Sequence, residues 1–221
     1  RGFVADAAHE LRSPLASIQA QLEVAQRLGE GGTLPADLMV DVKRLAGLVE
    51  DLLLLARADA DTRPPARLTA VDARDFVAEL TITYRHARVP VTLQADEPVI
   101  IMCAAEELRR AISNVLDNAV RHAKTRVEVT TSVDHDQAVI SVSDDGPGIQ
   151  LADRERVFER FTRLDDSRGR SSGGTGLGLA IVRELVTRAG GTVALTAAES
   201  PWRTRAELRL PLAPMTSSPP A

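Results

Sequence analysis

Two runs of apolar residues spaced alternately four and three apart, separated by a glycine-rich break, constrain how this chain begins to fold. From Phe3 to about Leu28 there is no glycine, and Leu11, Leu15, Ile18, Leu22 and Ala25 fall on one helical stripe. Gly29-Glu30-Gly31-Gly32-Thr33-Leu34-Pro35 breaks the pattern, and Leu38, Val42, Leu45, Val49, Leu52 and Ala56 resume it on a second helix. The spacing predicts a helical hairpin over residues 1–60. A lone hairpin cannot bury both seams, particularly with Leu48, Leu53, Leu54 and Leu55 widening the second. Two hairpins close a four-helix bundle, so a homodimer through this hairpin is expected. The competing arrangement packs the hairpin on the rest of the chain.

Arg57 to Pro65 is polar and ends in two prolines, which predicts a linker, drawn at residues 61–70, ahead of a second domain over 71–212. In that domain the pattern predicts helices at about Asp72 to Arg85, Ala105 to Ala123 and Leu177 to Ala189. Strands are expected near Val91 to Leu93, Val99 to Met102, Arg126 to Val133, Ala138 to Ser143, Thr192 to Thr196 and Thr204 to Leu210. Turns at Asp134-His135-Asp136 and around Ser200-Pro201 suggest hairpins in a mixed sheet with helices on one face. The fold class is therefore α+β: a helical hairpin followed by an α/β two-layer sandwich. Residues 213–221 are expected to be a disordered tail.

Composition removes several functions. Net charge is −4 and the basic residues are scattered, whereas nucleic-acid binding needs a concentrated positive face, so no nucleic-acid partner is expected. Aromatics make up only 3% of a chain that is 44% hydrophobic, which leaves an aliphatic core and no base-stacking surface. Cys103 is the single cysteine, so there is no internal disulfide or cysteine-based zinc site, and a reducing, cytoplasmic setting is expected. No apolar run is long enough to cross a bilayer. The chain opens at Arg1, eight residues before a histidine of interest, and reads as a fragment lacking an upstream part.

That histidine is His9. Two helical steps rotate it about 200° from Leu11, away from the buried stripe, among Asp6, Glu10 and Arg12. A neutral imidazole in solvent offers a nitrogen lone pair to phosphorus near neutral pH, and Glu10 is placed to orient the ring or act as general base. Pro14 removes the amide partner of the Glu10 carbonyl and is expected to bend the helix one turn past His9. By itself, such a histidine is as readily a solvated surface residue.

Further along, Asn114 and Asn118 lie one turn apart on an otherwise apolar helix, with Arg121, His122 and Lys124 following. A carboxamide oxygen is a suitable hard ligand for Mg²⁺ and adds no negative charge beside a triphosphate; a buried amide pair bonded to backbone is the other reading. Asp144-Asp145-Gly146-Pro147-Gly148-Ile149 ends a strand with two glycines that let backbone approach a ligand, and Asp144 could accept an exocyclic amine. A plain surface turn has the same composition. Asp165 to Gly174 has the composition of a mobile lid. Gly173-Gly174-Thr175-Gly176-Leu177-Gly178 then opens a helix whose amides converge on a phosphate position. A dinucleotide-binding fold would need a strand immediately before those glycines, and a long polar loop stands there.

Taken together these segments resemble the sensor histidine kinases. Phe3 to Leu15, with His9-Glu10-Leu11-Arg12-Ser13-Pro14, looks like their phosphoacceptor box, and Asn114-Val115-Leu116-Asp117-Asn118-Ala119 resembles the N box. Asp144 to Ile149 resembles the first glycine box, Val157 to Arg163 the F box, and Gly173 to Val182 the second glycine box. The order matches over nearly the whole chain. The resemblance implies a GHKL (Bergerat) ATPase fold after the bundle, Mg-ATP-dependent phosphorylation of His9 assisted by Glu10, and transfer to an aspartate of a cognate response-regulator receiver domain. It assigns Mg²⁺ to Asn118, polar nucleotide contacts to Asn114 and Arg121, the position beside adenine to His122, and the adenine amine to Asp144. Gly146, Gly148, Gly174, Thr175, Gly176, Leu177 and Gly178 complete the implied ATP site.

Ser13 stands where the family commonly has threonine or asparagine linked to phosphatase activity, His122 where tyrosine is frequent, and Cys103-Ala104 where many relatives carry Gly-Asp. The resemblance further implies a parent protein anchored in the cell membrane through segments upstream of this one. Two other functions use the same fold: a non-kinase GHKL ATPase, such as those of type II topoisomerases, mismatch-repair proteins or heat-shock chaperones, and a non-catalytic dimeric signalling module. The first lacks the histidine box and the second does not need intact glycine boxes.

Overall fold

The computed structural model describes residues 18, 24, 35–59, 67–95, 97–164, 175–198 and 200–214. His9, Glu10 and Ser13, nearly all of the first predicted helix and the whole of the predicted lid, Gly174 included, lie outside the described residues. Among those described, no helix is long and apolar enough to cross a membrane.

Helix α1 runs Pro35–Asp59. Pro35, read from sequence as part of the break, is its first residue, where a missing N–H costs nothing. The helix has two apolar faces. Val42, Val49 and Leu53 remain 45%, 43% and 49% exposed along one side, at the seven- and four-residue spacing of a bundle seam. Leu54 and Leu55, one and two steps round from Leu53, belong instead to the core of the downstream domain. Burying each of these leucines contributes roughly 1.5–3 kcal/mol. Asp51 adds an ion pair to Arg110 at 2.6 Å, and burial raises its carboxyl pKa against the lowering influence of that arginine. The sequence expectation that Leu54 and Leu55 merely widen the bundle seam is thus corrected. A heptad stripe identifies a buried face without naming what covers it.

Strand β1 (Thr69–Asp72) starts within the stretch read as linker and pairs antiparallel with β3 (Ile100–Cys103) as a separate two-stranded sheet. Asp72 then caps α2 (Ala73–Ile82): its carboxylate accepts the Arg74 amide at 2.9 Å and the Val99 amide at 3.2 Å. The main sheet has the order β2-β4-β5-β7-β6, comprising Val91–Gln94, Val127–Asp134, Gln137–Asp144, Thr204–Pro211 and Thr192–Thr196. β2 lies parallel to β4 and every other pairing is antiparallel. The two expected hairpins are present, at His135-Asp136 and between β6 and β7.

Helices α3 (Ala105–His122) and α4 (Gly178–Arg188) pack against each other and, with α2, on the sheet. Leu108, Ala111, Ile112, Val115, Leu116 and Ala119 make the buried stripe of α3 at the three- and four-residue spacing that an amphipathic helix requires. They meet alternate strand residues: Val127 and Val129 on β4, Ala138, Ile140 and Val142 on β5, and Ala206, Leu208 and Leu210 on β7. Asn114 and Asn118 flank that stripe on α3. Glu106 and Glu107 begin the helix and Arg121 and His122 end it, each sign complementing the nearby helix pole.

Candidate functional site

The site lies along the carboxyl-terminal half of α3, with the end of β5 at its last turn and the amino end of α4 against its middle. Strand periodicity sets the β5 end. The row Ala138, Ile140, Val142 that faces the helices continues to Asp144, so its carboxylate enters the helix-sheet layer and is only 6% exposed. The β5–β7 register places Thr204 directly opposite, and its hydroxyl bonds that carboxylate. Burial raises the Asp144 pKa. The Gly146 amide at 2.8 Å, the Thr204 hydroxyl and nearby His122 offset only part of that rise. Such a carboxylate is a preorganised acceptor in a dry setting.

Gly146 closes the turn because nothing larger fits. A Cβ there would lie 2.5 Å from the His122 carbonyl oxygen and 2.6 Å from Asp144 Oδ1. Gly148 follows at φ 83°, facing Arg203, whose amide donates to the Asp144 carbonyl at 2.8 Å. Gly146→Ala is expected to lower stability by roughly 1–3 kcal/mol, and to weaken nucleotide binding by displacing Asp144 or His122. Thermal melting with and without ADP measures both effects.

On the opposite side, α4 begins without a side-chain cap and with no acidic residue in its first turn, leaving N–H groups and the positive helix pole for an anion. The Leu177 amide alone is taken up locally, by the Thr175 hydroxyl at 3.3 Å. A Cβ on Gly178 would stand 3.7 Å from Asn114 Oδ1, so this helix start lies against α3. Among the described residues Asn114 Nδ2 is buried without a hydrogen-bond partner, while Oδ1 of the same amide faces the α4 start. Gly176, at φ 72°, sits on Phe161. A Cβ would come within 2.7 Å of the Phe161 carbonyl carbon, and its own carbonyl accepts the Phe161 amide at 2.9 Å. Phe161 is itself left-handed, at φ 61°. Phe161 and Gly176, which flank the predicted lid in sequence, are therefore held together. Buried Phe158 packs beneath the Arg183 guanidinium, which also bonds Glu155 at 2.7 Å and so ties the F-box segment to α4.

The structure thus gathers Asp144, Gly146, Gly148 and His122 on one side, and Asn114, Thr175, Gly176, Leu177 and Gly178 on the other. Asn118 and Arg121 lie on the intervening turns of α3. Sequence reasoning missed Thr204, whose position opposite Asp144 exists only through strand pairing.

Comparison with known proteins agrees with this geometry. Residues 103–214 match the family model described as histidine kinase-, DNA gyrase B-, and HSP90-like ATPase, and residues 1–61 match the His Kinase A (phospho-acceptor) domain. The chain is 42% identical, over 99% of its length, to the probable sensor histidine kinase TcrY of Mycobacterium tuberculosis, covering 48% of that protein. It is 38% identical, over 86% of its length, to the histidine-protein kinase/phosphatase MprB of Mycolicibacterium smegmatis, covering 41% of it. It therefore spans about half the length of these curated relatives. Among solved structures, histidine kinase ThkA in complex with response regulator protein TrrA superimposes with a TM-score of 0.71 at 16% identity, over 96% of this chain and 62% of that one, a likeness of fold.

Proposed function

Since the chain belongs to the sensor histidine kinases, with a phospho-acceptor domain followed by a GHKL-type ATPase domain, we propose that it phosphorylates His9 from Mg-ATP and passes the phosphoryl group to a response-regulator aspartate. The observation that carries this reading is the arrangement along α3 of a buried carboxylate, Asp144, beside its last turn and an uncapped helix start against Asn114, whose amide nitrogen lacks a partner among the described residues. One end suits a base that donates from an amine, and the other suits phosphate.

In this reading Asp144 accepts the adenine amine, with Thr204 orienting its carboxylate and His122 beside the base. The α4 amides at Gly178 and beyond, together with Gly174 and Gly176, receive phosphate oxygens, and Arg121 and Asn114 make the neighbouring polar contacts. The donor chemistry fits Mg²⁺: Asn118 presents a neutral hard oxygen one turn from Asn114, beside the phosphate position. When bound, the ion neutralises charge on the phosphoryl oxygens. Asn118 would hold it. Glu10 draws the proton of one His9 ring nitrogen so that the other attacks the γ-phosphate in line. Phosphohistidine is labile, which suits onward transfer to a receiver domain. Ser13 would support the reverse, phosphatase reaction through its hydroxyl.

The exposed stripe of Val42, Val49 and Leu53 supports dimerisation through the hairpin, with the two-component relay completed by a response regulator on the bundle. The setting is cytoplasmic, with the parent held in the membrane by further segments.

Incubation with γ-labelled ATP tests the proposal. An acid-labile, alkali-stable label on the protein supports it, and release of free phosphate without protein labelling rejects it in favour of a non-kinase ATPase. The Asp144 ionisation provides a second check. Its pKa is raised and the amine needs the ionised form, so ADP affinity is present above that raised pKa and is lost as pH falls through it. Calorimetric titration down a pH series is expected to lose affinity at a higher pH than an ordinary carboxylate would allow, and Asp144→Asn is expected to abolish the step.

A further inference from the structure

The last turn of α3 and its connection to β4, residues 120–126, carry Arg121, His122 and Lys124, and their backbone is held by two side chains from elsewhere in the fold. On the carbonyl side, the Arg88 guanidinium donates to Val120 O at 2.8 Å, Arg121 O at 3.4 Å and Ala123 O. These are carbonyl acceptors at the negative end of α3, and a single cationic nitrogen, Nη2 of Arg88, lies among all three. On the amide side, the Asp145 carboxylate accepts the N–H groups of Lys124 at 2.8 Å, Thr125 at 3.0 Å and Arg126 at 3.3 Å, together with the Thr125 hydroxyl. Three successive amides make a nest for an anion. Burial alone would raise the Asp145 pKa. The bonds from Thr125, Arg126 and Lys124 outweigh it and hold this carboxyl well below the usual carboxylate range.

We propose that Arg88 and Asp145 are positioning residues for base recognition, a two-sided clamp that fixes His122 against the Asp144 turn; this deepens the reading of Asp144 and His122 as the adenine end of the site. Asp145 is covalently next to Asp144, so the same two residues hold the base acceptor and the segment beside it. Contact between the segments is already at its limit, because the His122 carbonyl occupies the space a Gly146 side chain would need. A shift of residues 120–126 is therefore transmitted to the turn. A third contact closes the arrangement: the Arg126 guanidinium lies 5.0 Å over the Trp202 ring, next to Arg203, whose amide bonds Asp144 O. Among the described residues the bonds of Arg88 and Asp145 reach neither the α4 start nor Asn114, and they hold Arg121 through its backbone carbonyl, leaving its guanidinium aside.

The geometry thus separates two affinities that a merely structural role would move together. The full chain is tested as Arg88→Ala, Arg88→Lys, Asp145→Ala and Asp145→Asn, with calorimetric Kd for ADP and for inorganic triphosphate, and with KM and kcat for ATP in the labelling assay. Both alanine variants are expected to raise Kd for ADP and KM for ATP about tenfold, with Kd for triphosphate within about twofold and kcat within about threefold. Arg88→Lys recovers most of the ADP affinity. Equal weakening of ADP and triphosphate, unchanged ADP affinity, or a fall in kcat at unchanged KM overturns the clamp. If the alanine variants do not fold, Asp145→Asn decides: ADP weakened about threefold at constant triphosphate affinity supports the clamp, and parent-like ADP affinity overturns it. A parent chain that binds no ADP rejects the nucleotide-site reading itself and the clamp with it.

Discussion

In His9→Gln, acid-labile labelling of the protein from γ-labelled ATP is expected to fall to background, by at least ~10³-fold, while ADP affinity stays within about twofold of the parent chain. In the proposed reaction the side chain supplies the lone pair that attacks phosphorus. A glutamine amide nitrogen has its lone pair delocalised into the carbonyl, so the replacement keeps polarity and approximate size but removes the nucleophile. In the proposed site ADP is held by Asp144, Thr204 and the amino end of α4, far from His9 in sequence, so binding and labelling are expected to separate. Label that survives in His9→Gln would move the acceptor to another residue. Lost label together with lost ADP binding would instead indicate misfolding.

The catalytic domain was largely legible because its elements are long or strongly patterned. The apolar stripe of α3 announces a helix from Ala105 to about its observed end at His122, β7 alternates over eight residues, β4 over its first five, and β5 is buried at seven successive positions. Strand β1 escaped for the opposite reason. Thr69–Asp72 is four residues long, follows a proline-rich stretch, and owes its conformation to β3, about thirty residues away. The second face of α1 was visible as Leu54 and Leu55 but not interpretable, since periodicity cannot distinguish a bundle partner from the downstream domain.

The same division runs through the site. Glycine spacing and the paired asparagines are local signals, and they led to the residues now seen along the carboxyl-terminal half of α3. Thr204, Arg88 and Asp145 act through pairing register and through backbone carbonyls and amides of a distant segment, and no pattern within their own neighbourhoods points to those partners. Gly176 lies between these cases. Its place in a glycine box was evident, but its packing on Phe161, on the other side of the predicted lid in sequence, required coordinates.

Asn118→Ala is expected to lower the autophosphorylation rate by about 10²–10³-fold while leaving His9 fully able to receive a phosphoryl group. Asn118 stands one turn beyond Asn114 on the α3 flank that meets the α4 start, where an amide oxygen can hold a divalent cation without adding charge. Removing it weakens retention of the ion, so part of the lost rate should return as Mg²⁺ concentration rises. Asn118→Asp should not mimic the parent, because a new negative charge beside the triphosphate raises the electrostatic cost of bringing ATP in. The intact acceptor gives the decisive measurement. In mixed dimers of Asn118→Ala and His9→Gln, one subunit lacks the ion ligand and the other lacks the nucleophile, so label appears only where a nucleotide site on one subunit serves His9 of its neighbour. Recovered label on the Asn118→Ala subunit establishes transfer between subunits. Its absence, with each variant still binding ADP and still dimeric, establishes transfer within one. An Asn118→Ala homodimer that labels at the parent rate at low Mg²⁺ removes Asn118 from the ion site altogether.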